Sequence, residues 1–136
     1  MKKKPQKKRP RLVVLLCCDG VANDPNSNKK TLYGVHDQII PGSLSDFILR
    51  IYARFADGED AHQIGFGLRD KKGAIAWQSR EPLEMKFKAG RPRELAAVIT
   101  QVRVPRAGDY ELFVRCDNRA YSNITYPIKI HKPKSK

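Results

Sequence analysis

The chain has only three cysteines among its 136 residues, Cys17, Cys18 and Cys116. An odd number with two adjacent is not a disulfide framework. It reads as reduced thiols in a cytoplasmic protein. No apolar run reaches the ~20 residues that a membrane helix needs. The run Leu12-Val13-Val14-Leu15-Leu16-Cys17-Cys18 is short for the core of a secretion signal, and Asp19 follows it at once. It reads better as a buried first strand. Acidic residues are missing from both ends. Residues 1–11 carry Lys2, Lys3, Lys4, Lys7, Lys8, Arg9 and Arg11, and residues 129–136 carry Lys129, Lys132, Lys134 and Lys136. Taking these seven and four charges from the net +13 leaves +2 for residues 12–128. The body is therefore nearly neutral, and no basic domain face is implied. Basic arms are implied instead, and arms of this kind suit a polyanion such as nucleic acid. Pro5, Pro10 and mutual repulsion predict a disordered tail over 1–11, with a shorter basic tail over 131–136.

Also missing is the 3.6-residue periodicity of an amphipathic helix. What is present is alternation. Phe47, Leu49, Ile51, Ala53 and Phe55 fall on one face of an extended segment, and Ile48, Arg50, Tyr52 and Arg54 on the other. Tyr110, Leu112, Val114 and Cys116 alternate, as do Ile124, Tyr126, Ile128 and Ile130. Further strands are expected over 31–40, 62–69, 74–78 and 83–87. Residues 95–104 contain Ala96-Ala97, but Val98, Ile99, Thr100, Val102 and Val104 favour a strand there too. Asp57-Gly58, Asp70-Lys71-Lys72-Gly73 and Pro105-Arg106-Ala107-Gly108 are turn signals, and the Asn- and Asp-rich stretch 19–30 reads as a loop. The expectation is an all-β domain over 12–130, an antiparallel β-sandwich of about eight or nine strands, immunoglobulin-like or C2-like. Gly108-Asp109-Tyr110-Glu111-Leu112 resembles the penultimate strand of immunoglobulin-like sandwiches, where a tyrosine hydroxyl ties the strand corner. Leu112 stands where those domains place a cysteine, so no disulfide follows.

Few residues are arranged for chemistry. No Cys-x-x-Cys, paired-His spacing or EF-hand loop is present, and Gly65-Phe66-Gly67 lies inside a strand pattern rather than before a helix. Those glycines read as a bulge or as close packing. Cys17, Cys18, His36, Asp19 and Asp37 invite a thiol-site reading, but neighbours on a strand point to opposite faces, so His36 and Asp37 do not pair. No catalytic residue, metal or cofactor is expected. Trp77 on a short, edge-like strand is the one aromatic that could offer a platform for a sugar or base, but ordinary core or rim packing is the favoured reading. Arg50, Tyr52 and Arg54 form a possible contact face, since interleaved Arg and Tyr can hold phosphates and stack bases.

Several pieces taken in order resemble a functionally uncharacterised bacterial family of small all-β domain proteins. They are Leu15-Leu16-Cys17-Cys18-Asp19, the segment Leu32-Tyr33-Gly34-Val35-His36-Asp37-Gln38-Ile39, Leu68-Arg69-Asp70 with Lys72-Gly73, and Gly108-Asp109-Tyr110-Glu111-Leu112. The resemblance covers about 12–130. It implies a fold and a bacterial cytosolic setting, and carries over no reaction or ligand. The functional expectation is a non-enzymatic binding or scaffolding module with a protein or carbohydrate partner. The alternative is a nucleic-acid-associated protein anchored by its tails. Unpaired sheet edges also leave room for a homo-oligomer.

Overall fold

The computed structural model describes residues 8–27 and 29–134. Among them the chain is all strand: β1 (Arg11–Cys17), β2 (Gly20–Asn23), β3 (Lys30–Tyr33), β4 (Gln38–Ile39), β5 (Phe47–Ala56), β6 (Asp60–Arg69), β7 (Ile75–Gln78), β8 (Leu83–Phe87), β9 (Arg93–Val102), β10 (Gly108–Cys116), β11 (Arg119–Ala120) and β12 (Tyr126–Ile130). A three-stranded antiparallel sheet runs β1-β5-β9. A seven-stranded sheet follows the path β4-β12-β10-β6-β7, with β11 added to β10 and β8 to the other half of β6. The β12–β4 pair is parallel. Strands β2 and β3 form a separate hairpin.

Alternation places the core between the two larger sheets. The odd positions of β5 from Phe47 to Phe55 are all buried, and they pack in one cluster with Leu12, Leu15, Ile64, Phe66, Leu68, Met85, Phe87, Leu112, Val114, Ile128 and Ile130. Each large apolar side chain so enclosed contributes about 1.5–3 kcal/mol relative to exposure. The expected all-β, sandwich-like fold is present. The strand count is twelve, above the eight or nine expected, because three very short strands, β2, β4 and β11, fall in stretches read as loops, turns or parts of longer strands. The expected strand over 31–40 is broken into β3 and β4 at Gly34. Its φ is +66°, and a Cβ there would lie 2.2 Å from an Asp19 carboxylate oxygen, so the position requires glycine.

The corner tyrosine behaves as its motif implied: Tyr110 donates its hydroxyl to the Arg106 carbonyl at 2.6 Å. Three strands carry an extra residue: β1 at Val13, β7 at Ala76, and β9 within Thr100–Gln101, where Gln101 sits at φ +59°.

The N-terminal boundary is a correction. Arg11 already belongs to β1, and Lys8–Pro10 are docked on the domain. Lys8 accepts through its carbonyl from the Glu59 amide at 3.0 Å and from His62 Nε2 at 3.0 Å. Arg9 lies over the Tyr121 ring at 4.0 Å and donates to the Arg119 carbonyl. Pro10 is buried and accepts from the Tyr121 hydroxyl at 2.5 Å. At the other end, His131 donates its amide to Ile39 at 2.9 Å. Lys8 is thus held beside Asp117, just past the end of β10, through the His62 ring. Ile130 pairs with Gly108, where β10 begins. The two basic arms therefore leave from opposite ends of the same strand.

Candidate binding groove

Strand β9 closes one edge of the smaller sheet and β7 one end of the larger. Between these two edges lies a groove of about 970 Å³. Trp77, Ser79 and Arg80 line one wall, and Thr100, Gln101 and Arg103 the other. Ser45 and Asp46, which precede β5, and Glu81 complete the lining. Trp77 is the single tryptophan of the chain, half-buried, packed against the core and lining the groove. The two arginines and two carboxylates balance, so the groove has no net charge and is rich in hydroxyl and amide groups. Both walls carry a bulge, Ala76 on β7 and Thr100–Gln101 on β9. Bulges break the regular ladder of an edge and re-aim side chains. Gln101 in the left-handed region stores strain of the kind found at functional positions.

A second, shallower hollow of about 440 Å³ is lined by Asp19, Val35, His36, Ile39, Ile48 and Arg50 among others. His36 is joined to Cys17 through the backbone, and its Nδ1 lies 2.8 Å from the Gly34 carbonyl and 3.7 Å from Asp19. Cys17, the last residue of β1, and Cys18 just after it are both buried. Burial, with Cys18 adjacent, pushes the Cys17 thiol up to about 12, and burial also raises Cys18. Both thiols therefore stay protonated near neutrality, which deprives them of thiolate reactivity.

The face over Arg50, Tyr52 and Arg54 is less open than alternation implied. Arg50 is exposed, but Tyr52 is only 6% exposed and Arg54 is half-buried, 3.3 Å from Glu94. Lys30 from the β2–β3 hairpin reaches Glu94 at 2.8 Å. Burial raises the Glu94 carboxyl, but Lys30, Tyr52 and Arg54 outweigh it and hold the group below the usual range. Arg54 and Tyr52 are thus committed to an internal ion network, and only Arg50 of the three stands free of it. The basic arms are reduced in the same way. Arg9 stacks on Tyr121, and Arg11 pairs with Asp57 at 3.2 Å. Lys132 and Lys134 are exposed. Lys2, Lys3, Lys4, Lys7 and Lys136 lie outside the described residues.

Sequence reading singled out Trp77 but not its surroundings, because the groove is made by two edges remote in sequence. It missed His62 altogether, a histidine inside a strand pattern that is only 2% exposed. Among the described residues no helix is long and apolar enough to cross a membrane. No curated protein matches the chain. A family model described as a family of unknown function, DUF6941, matches residues 13–129. That match spans nearly all of the all-β domain, both walls of the groove and the ordered pieces that carried the resemblance, and the chain belongs to this family.

Proposed function

We propose that the domain is a non-enzymatic binding module that takes a neutral polar ligand, an oligosaccharide, in the groove between β7 and β9. The observation that carries this reading is the lone Trp77 set between two bulged sheet edges in a charge-balanced, hydroxyl- and amide-rich groove. A pyranose presents a C–H face that packs on an aromatic ring, and its hydroxyls both donate and accept. Ser79, Thr100, Gln101 and Asp46 supply partners of both kinds, and Arg80 and Arg103 supply donors. An added peptide strand would need a regular row of edge N–H and C=O groups, and both bulges interrupt that row. The three buried free thiols support a reducing, cytoplasmic setting for the module.

Because Trp77 is the only tryptophan, its fluorescence reports this groove alone. Titration with a panel of neutral linear oligosaccharides is expected to shift the emission, and Trp77→Ala followed by calorimetry is expected to weaken binding about 5- to 150-fold, the equivalent of ~1–3 kcal/mol of stacking. A silent emission across the saccharide panel, with a response instead to extended peptides, would replace the saccharide by a peptide. Silence to both would remove the groove from consideration.

The polyanion reading retains Lys8, Lys132 and Lys134 among the described residues, with Arg9 and Arg11 engaged in the fold. It is the weaker reading on that ground.

A further inference from the structure

Away from the groove, the end of the sandwich holds a cluster of three donor groups. One ring nitrogen of His62, the Cys116 Sγ and one Asp117 carboxylate oxygen all lie within 4.8 Å of one another. Asp117 Oδ2 is 2.5 Å from His62 Nδ1 and 3.8 Å from Cys116 Sγ. Two of the three ligands are fixed by their remaining polar atom. His62 Nε2 donates to the carbonyls of Glu59 at 2.8 Å and Lys8 at 3.0 Å. Asp117 Oδ1 accepts from the Gln63 amide at 2.9 Å. An imidazole held through its far nitrogen by backbone carbonyls, and a carboxylate held through its far oxygen, is the outer support that metal ligands characteristically have.

Asp117 and Asn118, at φ +50° and +67°, are the two central residues of a tight hairpin turn of a kind that Asp and Asn favour, which joins β10 to β11 where Cys116 pairs with Arg119. The turn follows directly on the last residue of β10, so that adjacent Cys116 and Asp117 both reach toward His62. Cys116 is fully buried and His62 nearly so, whereas the Asp117 side chain is 48% exposed. An ion would enter over the Asp117 carboxylate.

We infer that His62, Cys116 and Asp117 form a binding site for a divalent transition ion of zinc type. Nitrogen, sulfur and oxygen donors together suit zinc, with three protein ligands and a fourth position left for water. Donors about 2.0–2.3 Å from a tetrahedral ion stand about 3.3–3.5 Å apart, so the Nδ1–Oδ2 pair must open by about 0.8 Å. The ion takes the place of the Cys116 thiol proton, so that the sulfur binds as thiolate beside the His62 nitrogen and the Asp117 carboxylate. That proton must leave, so binding tightens as pH rises.

The test is titration of the full chain with Co²⁺ under reducing conditions. An intense near-ultraviolet thiolate-to-cobalt band is expected, bleached by one equivalent of Zn²⁺, with proton release on binding in weakly buffered solution. Cys116→Ser should abolish the band, and Asp117→Asn should weaken cobalt binding about a hundredfold or more. Should His62→Gln fail to fold, Asp117→Asn still carries the test, because its side chain is half exposed. Absence of the band at millimolar cobalt in the folded protein would overturn the site. So would a band that survives Cys116→Ser, since the thiolate would then belong to Cys17 or Cys18.

Discussion

Gly67 has no side chain because Phe113 occupies the space. The two are paired across β6 and β10, and a Cβ on Gly67 would lie 2.3 Å from the Phe113 ring and 3.0 Å from the Trp77 carbonyl. The ring has little room to yield, being fully buried with the Arg69 guanidinium 4.2 Å above it. Gly67→Ala is expected to destabilise the domain by about 1–3 kcal/mol, read as a lowered denaturant midpoint at constant m-value. Close packing, one of the two readings offered by the Gly65-Phe66-Gly67 pattern, is therefore the right one at Gly67. The cysteines give a second expectation. Iodoacetamide at neutral pH should leave Cys17, Cys18 and Cys116 unlabelled in the folded protein, and mass spectrometry should find all three alkylated in denaturant. Rapid native labelling of Cys17 would contradict its burial.

Elements were most legible where alternation was long. The segment 47–56 was read with its ends and its buried face, because ten residues of period two leave one register in which Phe47, Leu49, Ile51, Ala53 and Phe55 are all covered. The opposite face was misread at Tyr52, since period two says which residues share a face but not whether that face is wet. Burial there comes from tertiary neighbours, among them the Glu94 network. The short strands β2, β4 and β11 carry too few residues for any period to show. The bulges that shape the groove were equally silent, because an extra residue in β9 is defined only against its partner β5. Gln101 offers a test of this element. Glycine adopts positive φ without cost, so Gln101→Gly is expected to keep or raise stability by up to about 1 kcal/mol in thermal unfolding while leaving the bulge in place. A clear loss of stability would mean that the Gln101 side chain holds the edge by contacts of its own.

At the scale of the whole molecule, the N-terminal segment divides within its basic run. Residues 8–10 are fastened by His62, Glu59, Tyr121 and Arg119, so the domain begins before its first strand. Deleting residues 1–7 is expected to leave the melting temperature unchanged. Deleting 1–10 uncovers Tyr121 and takes the Lys8 carbonyl from the buried His62, and it should cost about 2–4 kcal/mol. Equal stability of the two deletions would show the docking to be idle. The docked ends also fix a length. β10 has nine residues, so its ends are eight steps apart, about 27 Å at ~3.4 Å per residue. Lys8 is fastened near one of these ends and His131 near the other. A pair of probes at these two positions therefore reports, as one distance, whether that strand is intact from end to end.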